Sequence, residues 1–316
     1  MTERTLSSTA HRAYWLGRYL ERAGSTARLV SVNANLLIDL PVRLPLGWLP
    51  LVDILAQEDM YSALYGEPPE EQHEKSVVRF LLSDQRNPSS LMSSLSYAKE
   101  NARALRGTLP RAAFEHINDA FLYGKEVFQE PLSRTRRSNG LQHIIERVQQ
   151  IDGFLSATML HGAPWQFIRL GNFMERADMT TRIIDLPTTN LLPTDSQLEP
   201  FQDIQWRSVL NSLNAMQGYT VTVQKPVTQE EVLPFLLQNP DLPRSLLRCI
   251  STLRNCLRSL PANKEPLALV DQHRRQLQRA RVRRLSGERL RKFVDARQKQ
   301  LYTLHQKITN TYFPDI

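Results

Sequence analysis

A chain of 316 residues with 41% apolar and 23% charged side chains carries enough apolar surface for a large core, which excludes wholesale disorder. Two cysteines exclude a disulfide-stapled scaffold, and a formal charge of +8 leaves a basic protein whose excess needs a location. The opening MTERTLSSTAHR has charges and hydroxyls where a leader would have its apolar run, and no stretch of about 18 uncharged apolar residues follows, so a cytoplasmic location with no membrane contact is expected.

The first helical pattern, YWLGRYLERAGSTARLV, spans residues 14 to 30 and holds a glycine where a helix former would be more stable by about 1 kcal/mol. On a helix Gly17, Glu21, Gly24 and Arg28 share one stripe. Long helical side chains lean back over the preceding turn, so Glu21 reaches toward Gly17 and meets a cleared space. Two occupants fit it. A second helix can approach and deliver a basic group, which makes a buried ion pair. Alternatively, a ligand can enter, with Glu21 accepting from an amine or hydroxyl while Arg28 holds a carboxylate or phosphate. Arg18, three residues before Glu21, can pair with it locally, and Arg22, about 100° round the helix, faces a neighbouring surface, as does Arg176 beside Glu175.

Downstream, Trp48-x-x-Leu51-Val52-x-x-Leu55 and a block from Val77 to Arg103 containing Asn87-Pro88-Ser89-Ser90 continue the helical spacing. Prolines punctuate the runs at Pro41, Pro88, Pro110, Pro131, Pro187, Pro240 and Pro261. After HGAP at 161 to 164 the opening string returns as FIRLGNFMERADMTTRII, residues 167 to 184. Leu170, Gly171, Glu175, Arg176, Ala177, Thr180 and Arg182 stand 154 positions after Leu16, Gly17, Glu21, Arg22, Ala23, Thr26 and Arg28. Trp206 follows Trp48 by 158, and Val232, Phe235, Pro243, Ser245 and Arg258 follow Val77, Phe80, Pro88, Ser90 and Arg103 by 155. Three blocks in one order mean duplication, with halves 1–160 and 161–316. In the second half the stripe reads Gly171, Glu175, Asp178, Arg182, and position 172 is Asn where the first half has Arg18.

Five or six helices per half are expected: an all-α, tandem-duplicated bundle of about 10–12 helices with pseudo-two-fold symmetry. YTVTVQK, residues 219 to 225, is the one β-like stretch. Equivalent placement of the motif helices predicts that they meet near the pseudo-axis, where Glu21 and Glu175 exchange partners with Arg28 and Arg182. Cys249 and Cys256, seven apart on a helix, lie roughly 10 Å apart along its axis and read as buried apolar residues.

Residues 271 to 299 hold eleven Lys/Arg against Asp271, Glu288 and Asp295, the whole of the excess charge. Leu290, Phe293, Val294, Leu301, Leu304 and Ile308 form a packed stripe beneath them. The cationic face is a solvated surface or a dock for an acidic partner; no aromatics interleave with it as in a base-stacking platform, so nucleic acid ranks below a protein or acidic peptide. No Gly-rich phosphate loop, Cys-x-x-Cys pair or nucleophile elbow occurs, and the seven histidines do not form the paired Glu-x-x-His pattern of di-metal bundles. Neither a metal nor a cofactor is expected.

Tyr14-Trp15-Leu16-Gly17-Arg18-Tyr19-Leu20-Glu21-Arg22-Ala23, the second Leu170-Gly171-x-x-x-Glu175-Arg176-Ala177 and Asn87-Pro88-Ser89-Ser90 together resemble the Alpha-E family over nearly the whole chain. The resemblance implies a helical domain with an ER motif that accompanies circularly permuted ATP-grasp proteins and transglutaminase-like proteins, an association read as peptide synthesis or modification by amide ligation. The expected role is a non-enzymatic partner that binds the ligase or its peptide through the ER face and the basic C-terminal helix. An enzyme using Glu21 or Glu175 as general base is the alternative, followed by a nucleic-acid scaffold.

Overall fold

The computed structural model describes residues 7–39, 47–128, 133–185 and 202–314. Among these residues the protein is all-α, with no strand. The first seven helices are α1 (Ser7–Asp39), α2 (Pro50–Ile54), α3 (Glu58–Tyr65), α4 (His73–Leu82), α5 (Leu91–Ala104), α6 (Arg111–Val127) and α7 (Arg134–Thr158). Seven more follow: α8 (Ala163–Asp185), α9 (Gln202–Ser212), α10 (Met216–Thr222), α11 (Gln229–Gln238), α12 (Leu246–Arg258), α13 (Lys264–Arg279) and α14 (Gly287–Tyr312). The number exceeds ten to twelve because α2, α3 and α10 are too short to display a full helical period in sequence.

Local chemistry sets the helix ends. Ser90 caps α5 by accepting from the Ser93 amide at 3.1 Å, and Ser245, its counterpart in the repeated block, caps α12 by accepting from the Arg248 amide at 3.0 Å. Pro50 opens α2, Pro110 immediately precedes α6, and Gly66, at φ 66°, ends α3 in the left-handed region. Pro41, Pro131 and Pro187 lie outside the described residues.

The β-like stretch is helix α10 and the turn after it. A lone strand in an all-α core would leave its backbone groups without a ladder, and a helical turn satisfies them internally. Burial of Tyr219, whose hydroxyl donates to the Pro226 carbonyl at 2.8 Å, fixes that choice.

Packing places the two motif helices at the centre. Helix α1 packs on α5, α7 and α8; α8 packs on α1, α12 and α14; α6 joins α5 to α7, and α13 joins α12 to α14. One apolar core runs through both sets. Leu290, Val294, Leu301, Leu304 and Ile308 bury the inner stripe of α14, with Phe293 half-buried at its edge. Cys249 and Cys256 are buried and unpaired, and burial pushes the Cys249 thiol up to about 12. Among the described residues no helix is long and apolar enough to cross a membrane.

Candidate functional site

The two glycines ahead of the glutamates explain how closely α1 and α8 meet. A Cβ on Gly17 would stand 2.0 Å from the Ile168 carbonyl oxygen, and one on Gly171 would stand 1.8 Å from that of Tyr14. Ile168 is the residue 154 positions after Tyr14, so the contact is reciprocal: each glycine receives the backbone of the other helix at the matching place. Main chain thus occupies the place that each missing side chain leaves, and the cavity that remains beside Gly17 and Glu21 is small, about 40 Å³. Ordinary helix pairs stay about 8–10 Å apart because their Cβ atoms intervene.

Close approach brings each glutamate to the guanidiniums of the opposite helix. Glu175 accepts from Arg18 Nε at 2.7 Å, Arg22 Nε at 2.6 Å and Arg22 Nη2 at 3.0 Å. Glu21 accepts from Arg176 Nη2 at 2.7 Å and Nε at 3.2 Å, from Arg244 Nη1 at 2.6 Å and from the Ser25 hydroxyl at 3.1 Å. Both carboxylates are buried, at 3% and 2% exposure. Burial alone would push their pKa values up. The paired guanidiniums overcome it, Arg176 and Arg244 for Glu21 and Arg22 and Arg18 for Glu175, and hold both acids at about 2. The cations are also braced from behind: Arg22 lies over the Tyr19 ring at 5.8 Å and Arg176 over the Phe173 ring at 4.6 Å.

Partner choice differs from the sequence expectation in three places. Arg22 and Arg176, expected to serve another surface, are the cross-helix partners. Arg28 and Arg182, expected to be those partners, are not. Arg18 bonds Glu175 and not its neighbour Glu21. A residue one step round from the glutamate points across the crossing once the helices touch, whereas residues 28 and 182 lie too far along the axis. Arg182 instead donates to Asp178 at 2.8 Å, and with Arg18, Lys299, Tyr302 and His305 this pair lines an open cleft of about 500 Å³ beside α14.

Arg244 escapes a motif search because it sits in the turn before α12, far from either ER string. Thr180 anchors that turn by donating to the Arg244 carbonyl at 2.9 Å. The repeat nonetheless contains its signature. Asn172 stands where the first half has Arg18, and Arg244 stands where the first half has Ser89. One half supplies its second cation from the motif helix, and the other supplies it from the turn.

Among the described residues no cluster of three or more His, Cys, Asp or Glu side chains forms a metal nest. His305, on α14, shares a hydrogen bond with the buried Tyr14 hydroxyl at 2.9 Å. Burial, with Arg18 nearby, lowers its pKa to about 4, so its ring is neutral near pH 7 and forms part of the wall behind Arg18.

An all-α protein centred on two helices that cross at glycines and exchange Glu-Arg clamps is thereby defined. The chain belongs to the Alpha-E family: the model of that family, described as a predicted alpha-helical domain with a conserved ER motif, matches residues 5–313. No curated protein and no solved structure matches it.

Proposed function

We propose that this chain is a non-catalytic helical partner in a cytoplasmic peptide synthesis or modification system built on amide ligation. In this reading residues 1–160 and 161–316 are the two copies of a duplicated unit, joined through the α1/α8 crossing. Their ligand-facing surface is the basic side of α13 and α14. The resemblance supplies the partner class, a circularly permuted ATP-grasp protein, with a transglutaminase-like protein as a second member of the system.

The observation that carries the non-catalytic reading is the state of the two ER carboxylates. An acid with a pKa near 2, out of solvent and saturated by guanidiniums, is a weak base with no path for a substrate proton. The ER residues therefore act in this proposal as the brace between the two units, not as the binding face. The remaining cations are free to bind: Arg275, Arg279, Arg281, Arg284, Arg289, Arg291 and Lys299 are exposed, and none has an ion pair among the described residues. An exposed set of cations without ion pairs among the described residues favours an acidic protein partner, attracted at long range and sensitive to salt.

Titration calorimetry between this protein and a circularly permuted ATP-grasp protein from the same cell tests the reading. Binding should weaken at least tenfold between 50 and 300 mM salt, and by a similar factor in Arg279→Glu/Arg281→Glu/Arg284→Glu. Affinity unchanged by both would refute docking through this face. Binding of an acidic peptide in place of the intact ligase would identify the substrate as the occupant.

A further inference from the structure

Arg28 differs from the other guanidiniums around the crossing. Its side chain is buried, at 7% exposure, and among the described residues it makes no ion pair and its Nη1 has no hydrogen-bond partner. The charges beside it are Arg244, Glu21 and Arg176, and Glu21 is already committed to the two other arginines. Burial and Arg244 together lower the Arg28 pKa to about 9, which still leaves it charged at neutral pH. A core that holds an unpaired cation is destabilised unless something neutralises it.

The second half shows what is missing. Arg182, 154 positions after Arg28, donates to Asp178 at 2.8 Å, but the position 154 before Asp178 is Gly24. Where a carboxylate at position 24 would sit, there is a cavity of about 40 Å³, lined by Gly24, Arg28, Glu21, Arg176, Arg244 and Asn172. That is room for about two or three waters, and so for a chloride ion or a carboxylate group. Asn172, in the same lining, also has a buried Oδ1 without a hydrogen-bond partner among the described residues. Asp152, also in the lining, makes no ion pair with Arg28 among the described residues, and its charge acts on Arg176 and Arg244. Three guanidiniums against the Glu21 and Asp152 carboxylates leave the lining of this cavity with a net charge of +1.

We infer that the cavity binds a small monovalent anion, which takes beside Arg28 the place that the Asp178 carboxylate takes beside Arg182. Arg28 Nη1 is its principal donor, and the bound anion joins α1 to the guanidiniums of α8 and of the turn before α12.

Thermal unfolding at constant ionic strength tests this, in sodium chloride, sodium formate and sodium gluconate, whose anion is too large for the space. Tm should be higher in chloride or formate than in gluconate, rising roughly 2–4 °C per tenfold increase above the dissociation constant. The salt with the larger shift identifies whether a halide or a carboxylate is preferred. In Arg28→Met the dependence should vanish. Gly24→Asp supplies the carboxylate within the chain and should abolish it too. Because a Cβ at position 24 would stand 3.1 Å from Val148 Cγ1, that change is made together with Val148→Ala. Crystals soaked in bromide should show an anomalous peak beside Arg28, a readout that needs no variant. Equal Tm in the three salts, a dependence that persists in Arg28→Met, or no peak at Arg28 would overturn the inference.

Discussion

Replacing Glu175 by Gln removes one charge and almost no volume, and its cost can be worked from two directions. Paired guanidiniums hold the acid at about 2 in the folded protein against an ordinary value of 4.5, a difference worth about 3 kcal/mol at neutral pH. Breaking a buried pair by removing one partner costs about 3–5 kcal/mol, and here two guanidiniums, Arg18 and Arg22, lose their anion. Both routes give about 3 kcal/mol. Urea unfolding followed by circular dichroism at pH 7 measures it, as a fall in midpoint with unchanged slope. The pH dependence gives a second check on the same number. Between pH 4.5 and 2 the unfolded chain binds a proton at Glu175 that the folded chain does not, so this stabilisation is present above about pH 4.5 and is lost as pH falls toward 2. The penalty of Glu175→Gln should therefore shrink to less than half its neutral-pH value at pH 3. A loss below about 1 kcal/mol at pH 7, or one independent of pH, would refute the reasoning.

Gly171→Ala should cost about 3 kcal/mol despite its better helix propensity, because the new methyl carbon would sit 1.8 Å from the Tyr14 carbonyl oxygen. Gly153→Ala on exposed α7, where a Cβ meets nothing within 4 Å, should gain up to about 1 kcal/mol in the same assay. Cys249 should resist a thiol reagent at pH 8 until the protein unfolds, since it is fully buried and its thiol is pushed up to about 12; rapid labelling of the native protein would contradict this. Buried His273, lowered to about 4 by burial and by Arg297, should make stability fall as pH drops from about 6.5 toward 4, because the unfolded chain binds that proton first. His273→Leu should flatten that part of the stability curve.

Helical content was legible because apolar spacing and proline placement report it directly, and the ER strings marked the two central helices through their glycines. The choice of partners was not legible from helix geometry alone. Reading α1 as an isolated helix pairs Arg18 with Glu21, three residues away, and turns Arg22 aside. Only backbone contact at Gly17 and Gly171 turns both arginines toward Glu175. Arg244 lay outside any local pattern, yet the paired differences Arg18/Asn172 and Ser89/Arg244 between the halves carried its position. YTVTVQK misled because alternation over seven residues describes a strand only when a neighbouring strand exists to receive it.

Cross-helix exchange holds α1 and α8 together, and a double-mutant cycle between Glu21 and Arg176 tests it most directly. Glu21→Gln, Arg176→Met and the double variant, each measured by urea unfolding, should give a coupling of about 2 kcal/mol or more, while Glu175 with Arg28 should give less than about 0.3. Additive effects at Glu21 and Arg176 would contradict the exchange and, with it, the role assigned to the ER motif.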